Sequence, residues 1–199
     1  MLYTAPMATA RTLKALHDKY HAQNTCSLKQ TATRPVYGHG NPHARIVFIG
    51  EAPGKKEDMT GLPFVGASGK FLDEMLASIN IHREHIYITS IVKYRPPNNR
   101  DPKPVEKDAC RDWLHAELTL INPDLIVFLG RHSMNDFFPT HKISKVHGKL
   151  LKQKFPHIAT THFLPLYHPA AALYNGKLRN DLLKDFKKIP HVLQKIIEK

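Results

Sequence analysis

At 199 residues the chain has room for one domain with short tails, and 42% hydrophobic residues suffice for a real core. Lysine and arginine number 29 against 17 acids, a net charge of +12 that favours a polyanionic partner, nucleic acid before an acidic membrane, and argues against an enzyme of small free nucleotides. No long uncharged apolar run occurs, so no membrane span is expected, and the 14 histidines make no zinc-like spacing with the two cysteines.

The start, MLYTAPMATARTLKAL, has no apolar block ahead of a cleavage site, so secretion is not expected. Its basic, mildly amphipathic character leaves an organelle-targeting segment and a start at Met7 as open readings. Residues 11–20 read as a helix with Leu13, Leu16 and Tyr20 on one face, making residues 1–22 an N-terminal helix and tail. Residues 38–42 are a turn by composition, and 44–49 form the first core strand, a short apolar run ended by Gly50. Residues 51–54 read as a tight turn and 61–69 as a glycine-rich loop holding Pro63 and Phe64. Phe71, Leu72, Met75, Leu76 and Ile79 then recur at helical spacing, giving a helix over 69–79.

Residues 85–92 read as a second strand, parallel to the first through a right-handed crossover. Residues 95–104 are a proline-rich loop, and 105–122 a helix with Trp113, Leu114, Leu118 and Ile121 inward, stopped by Pro123. Residues 125–129 form a third strand, turned by Gly130 into a short helix over 132–138. Residues 140–151 read as a loop and hairpin edge, and 161–166 as a fourth strand leading into His168. Residues 180–199 form a C-terminal helix interrupted at Pro190. The expected fold is α/β: a three-layer α/β/α sandwich with a central, mostly parallel four-stranded sheet. No repeat or linker divides the chain, so residues 1–199 are expected to form a single domain.

The stretch ARIVFIGEAPGKKEDMTGLPFVGASGKF, from Arg45 to Phe71, delivers a glycine-rich loop with carboxylates at its root to the mouth of a sheet, where open α/β folds bind ligands. It lacks the glycine spacings of a dinucleotide or Walker loop. Glu51, Glu57 and Asp58 would repel a phosphate, so an apolar ring beside acids suits a planar, uncharged group. Within it, GEAPGKKEDMTGLPFVGASGKFL resembles the first motif of the uracil-DNA glycosylase superfamily, in the variant of its iron–sulfur (family 4) branch. The resemblance continues at Val92–Arg100 (VKYRPPNNR), at Leu129-Gly130-Arg131 and at His168-Pro169-Ala170, and spans residues 23–189.

This resemblance implies a monofunctional DNA base-excision repair glycosylase. Such an enzyme flips out a deaminated base, foremost uracil, and hydrolyses its N-glycosidic bond to leave an abasic site. The implied partner is DNA, the enzyme acts as a cytoplasmic monomer, and no motif lysine is placed for a strand-cleaving Schiff base. Phe64 is the implied stacking platform, with a core position as the alternative. Glu51 is implicated in placing substrate or water. Ala52 stands where distant relatives carry an aspartate, so Glu57 or Asp58 would share the carboxylate function, the alternative being an internal cap. His168 is the implied donor to the uracil O2.

Ser90 departs from the family, whose strand ends in an asparagine able to read uracil at two points; one hydroxyl cannot, and Asn99 is the nearest compensation. Hypoxanthine or xanthine therefore stays open as substrate. Arg95, Arg100, Lys103, Lys145 and Lys149 are expected on the DNA backbone. Tyr167, Ala171, Leu173 and Tyr174 are candidates for the wedge that fills the flipped-out gap. Of the branch's four cluster cysteines only two have counterparts, Cys26 and Cys110; Gln23 and Tyr94 stand at the other two places. A four-iron cluster needs four thiolates or close substitutes, so no cofactor is expected. The rival reading is a non-enzymatic DNA-binding relative, which would be expected to lose at least one of Glu51, Phe64 and His168; all three are present.

Overall fold

Buried runs of β-branched, aromatic and aliphatic residues alternate with amphipathic segments along the chain, as expected of a layered α/β protein. The computed structural model describes residues 12–198; the first eleven residues of the expected N-terminal tail, and Lys199, lie outside them. In chain order the elements are α1 (Leu13–Gln23), β1 (His39–Gly40), β2 (Ile46–Gly50), α2 (Lys55–Thr60), α3 (Ala67–Ala77), β3 (Tyr87–Ser90), α4 (Pro104–Ile121), β4 (Leu125–Leu129), α5 (Arg131–Phe137), α6 (Ile143–Val146), β5 (Leu151–Lys152), β6 (His162–Leu166), α7 (Pro169–Leu173), α8 (Gly176–Phe186) and α9 (Ile189–Ile197). None of the described helices is long and apolar enough to cross a membrane.

The sheet order is β1-β3-β2-β4-β6-β5. The four central strands run parallel, and they are the four strands expected from sequence. The sheet nonetheless has six strands rather than four, because β1 and β5 pair antiparallel on its outer edges. Each is only two residues long, too short for any periodicity to show. Their pairing is imposed by neighbours, as when the Asn41 N–H donates to the Ile86 carbonyl at 2.9 Å, and they cover edges that would otherwise stay open.

Period-two alternation sorts the strands' side chains between two cores. Ile46, Phe48, Ile88, Val127 and Leu164 pack with Phe71, Leu72 and Met75 of α3 and Leu182 and Phe186 of α8. Val47, Ile49, Tyr87, Phe128 and Phe163 pack with Leu114 and Leu118 of α4 and Met134 and Phe137 of α5. The C-terminal segment is two helices broken at residues 187–188. Pro190 lies in the first turn of α9, where its missing N–H has no helical partner to lose, and does not interrupt one long helix. Residues 55–60, between the tight turn and the glycine-rich loop, form α2.

One buried ion pair ties the site's loops to this frame. The Lys93 ammonium donates to Glu117 Oε2 at 2.7 Å, and Tyr87 and Thr89 hydroxyls donate to the same carboxylate at 2.8 Å each. Burial alone would raise the Glu117 pKa, but Lys93 and His17 hold it far below the usual carboxylate range. The loop after β3, which carries Arg95 and Asn99, is thereby pinned to α4.

Candidate active site

Parallel strands end at a common edge, and that edge assembles the pocket. Gly50 and Ser90 are partners in register at the ends of β2 and β3. Gly130 follows β4, and its N–H donates to the carbonyl of Leu166 at the end of β6. The loops leaving these four points enclose a pocket of about 350 Å³ lined by Glu51, Ala52, Phe64, Ser90, Asn99 and His168, among others. Glu51, Phe64 and His168, drawn from positions more than a hundred residues apart, are therefore together.

Phe64 is nearly buried, at 7% exposure, and forms part of the pocket wall. It sits in the left-handed backbone region with φ 53°, an arrangement that costs of order 1 kcal/mol and is met mainly at functional sites. Gly50 is what admits the ring: a Cβ there would lie 2.7 Å from it. Arg83 donates to the carbonyls of Pro63 and Phe64 at 2.5 and 2.9 Å, fixing the loop from behind.

Glu57 lines the pocket, and both it and Asp58, expected to share the carboxylate function, are engaged by nearby loop groups. Glu57 Oε1 accepts from the N–H groups of Val65 and Gly66 at 2.8 and 2.7 Å. Asp58 is outside the pocket, and its two oxygens accept from the Thr33 N–H and hydroxyl at 2.9 and 2.8 Å. Both carboxylates lie in the first turn of α2 and satisfy donors that the folded loop would otherwise bury unpaired.

His168 is the N-cap of α7, and its Nδ1 accepts from the Ala170 N–H at 3.1 Å. Burial, with His132 nearby, brings its pKa down to about 4. The ring is thus neutral, and with Nδ1 accepting, the proton is on Nε2. Its centroid is 5.9 Å from that of Phe64. Gly130, at φ +100°, permits this approach, since a Cβ there would be 2.9 Å from His168 Cβ.

Glu51 has the opposite bias. Burial first, then Asp101, raises its carboxyl to about 7, partly offset by Lys107 and Arg131. Its Oε1 is buried with no hydrogen-bond partner. The nearest imidazole nitrogen is His132 Nδ1 at 3.6 Å, and His132 Nε2 lies 3.3 Å from Asp101 Oδ2. Neither His132 nor Asp101 was singled out from sequence. The available signal was position: His132 directly follows the Leu129-Gly130-Arg131 motif at a strand's carboxyl end.

Ser90 is buried on the pocket wall. Asn99 Oδ1 accepts from Arg95 Nε at 2.7 Å, so both side chains are oriented by each other. Arg100 lines the pocket, and its two terminal nitrogens donate to Glu106 at 2.8 and 2.6 Å, bracing the loop against α4. Lys103, Lys145 and Lys149 are exposed. Of the wedge candidates, Ala171, Leu173 and Tyr174 are exposed at the end of α7, Tyr174 at 92%, while the Tyr167 ring lies tilted against His147 with centroids 4.4 Å apart.

On the far side of this loop, the place that would hold an iron–sulfur cluster is packed. Cys26 and Cys110 are buried free thiols; Cys26 Sγ donates to the Glu106 carbonyl at 3.6 Å, and the interaction of the two thiols pushes Cys26 up and Cys110 down in pKa. Tyr20 hydrogen-bonds Cys110 Sγ at 3.3 Å. Its ring stacks on Tyr94 at 5.7 Å and meets Trp113 edge-on at 5.4 Å. Gln23 is exposed. Two thiols, a buried phenol and a surface amide do not fit a four-iron cluster.

Residues 37–193 match the uracil DNA glycosylase superfamily. The chain is 48% identical over 174 residues to the type-4 uracil-DNA glycosylase of Archaeoglobus fulgidus, covering 82% of this chain and 84% of that protein. It is 41% identical over 187 residues to the type-4 uracil-DNA glycosylase of Thermotoga maritima, covering 92% and 95%. Against the type-5 uracil-DNA glycosylase of Thermus thermophilus the identity is 34% over 152 residues, covering 68% of each.

Proposed function

The chain belongs to the uracil DNA glycosylase superfamily, and from that membership we propose that it removes uracil from DNA by base flipping and hydrolysis. The observation that carries the reading is the convergence of Glu51, Phe64 and His168 on one pocket. An extruded base would stack on Phe64, a contact worth roughly 1–3 kcal/mol. As the C1′–N1 bond breaks, its electron pair leaves with the base and negative charge grows on O2. The neutral His168, protonated on Nε2, is the donor for that oxygen, a role worth roughly 2.7–4 kcal/mol in the transition state.

Water supplies the oxygen that bonds C1′, and its proton passes to the Glu51 carboxylate. This requires Glu51 ionised, so the rate should fall as pH drops below about 7. Ser90 and Asn99 are assigned to the polar edge of the base, with Ala52 beside them. Arg95, Lys103, Lys145 and Lys149 are assigned to phosphates, and Leu173 with Tyr174 to the gap left in the stack. No step runs through a metal or cluster, because the donor set at residues 26 and 110 does not fit one. A monomeric state is proposed, and the proposed place of action is the cytoplasm.

The test is incubation of purified protein with single- and double-stranded oligonucleotides carrying uracil, hypoxanthine or xanthine, followed by alkaline cleavage of abasic sites. Cleavage at uracil is expected. Cleavage only at a purine would reassign the base, and none at any with DNA binding intact would turn the reading to a non-enzymatic one.

A further inference from the structure

We infer that His132 is a positioning residue for Glu51, its Nδ1–H aimed at the buried carboxylate oxygen that has no other donor. The inference rests on the excision reading above and adds to it a residue outside the recognised motifs. Three observations carry it. Glu51 Oε1 is buried and unpartnered, a condition that costs about 1–3 kcal/mol for a polar atom and is seldom left without purpose. His132 Nδ1 stands 3.6 Å from it, an ion-pair distance that a small side-chain rotation closes to a hydrogen bond. The far nitrogen of the same ring is held: Arg131 Nε donates to Nε2 at 3.0 Å.

That last contact fixes the tautomer. A neutral imidazole accepting at Nε2 carries its proton on Nδ1, the atom facing Glu51. Burial favours the neutral form. If the ring does take a second proton, Asp101 Oδ2, 3.3 Å from Nε2, receives the new N–H, and Nδ1 still donates to Glu51. The charged and titratable groups around the ring are Glu51, Asp101, Lys107, Arg131 and His168. With Arg131 and Lys107 already beside the carboxylates, the trio of Glu51, Asp101 and His132 has its charge balanced by the protein's own cations. A donor at Nδ1 orients the carboxylate and favours its ionised form, which is the form that accepts the water's proton.

The test exploits the difference between two amides. In His132→Asn the amide nitrogen stands near the place of Nδ1, so a donor toward Glu51 remains. In His132→Gln it stands nearer Nε2, so the contact with Asp101 remains and the donor toward Glu51 is lost. Single-turnover uracil release from a single-stranded oligonucleotide is measured from pH 5.5 to 9 for both and for the wild type, with affinity for the abasic product measured alongside. We expect His132→Gln to slow release about 10- to 100-fold near pH 7, with its acid limb moved to higher pH and product affinity unchanged. We expect His132→Asn to stay within about 3-fold of wild type with the limb unmoved. Equal rates for all three, or equal losses with the limb unmoved, overturn the inference while leaving the excision reading intact. A wild type that releases no uracil removes both.

Discussion

The pocket at the strands' carboxyl ends and the corner around Cys26 and Cys110 lie on opposite sides of the same loop, and they obey different rules. In the pocket each expected group stands by virtue of particular atoms: a donor at His168 Nε2, a carboxylate at Glu51, a flat ring at Phe64. In the corner, two of four implied cluster ligands are missing, and aromatic rings with a buried thiol pair occupy the volume. Chemistry asks for a given atom at a given point, and no substitute of another kind serves. A structural clamp asks only that the chain segments be held together, and here apolar packing joins them.

The comparison breaks first at Tyr94. If packing has replaced ligation, Tyr94→Ala should lower unfolding free energy by about 3–5 kcal/mol, as for other large-to-small core changes. Urea unfolding measures this, and the excision rate well below the transition should change little. His168→Ala is expected to do the reverse, costing about 2.7–4 kcal/mol of transition-state stabilisation, roughly 10²- to 10³-fold in single-turnover rate, with the urea midpoint nearly unmoved.

Glu51→Gln should abolish excision and stabilise the fold. The Glu51 carboxyl holds its proton more tightly folded than unfolded. Its favourable contribution is therefore complete below the ordinary carboxylate range and is lost as pH rises through about 7. The glutamine variant should match wild-type stability near pH 4 and exceed it at pH 8 by up to about 3 kcal/mol, a difference that thermal unfolding at the two pH values resolves. The smallest effect belongs to Cys26→Ser, expected to cost less than about 1.5 kcal/mol and to leave excision unchanged. Wild-type protein assayed beside it should be colourless and free of stoichiometric iron; a brown protein with visible absorption would show that the corner is a metal site after all.

The four parallel strands and the helices read over residues 69–79 and 105–122, found at 67–77 and 104–121, were legible because buried strands and amphipathic helices leave local periodicities, and the gathering of Glu51, Phe64 and His168 was legible through the family's motifs. What no local pattern carried was who meets whom across the sheet. Asp58 bonds Thr33, twenty-five positions away. Glu57 turns back on its own loop, Arg100 closes on Glu106, and His132 and Asp101 come beside Glu51 from two different crossovers. The two-residue edge strands exist only because a neighbour offers them unpaired groups. Polar side chains have several ways to satisfy a hydrogen bond, and only the assembled tertiary structure selects among them, since the cost of leaving a buried donor unpaired is felt only once the layers have closed.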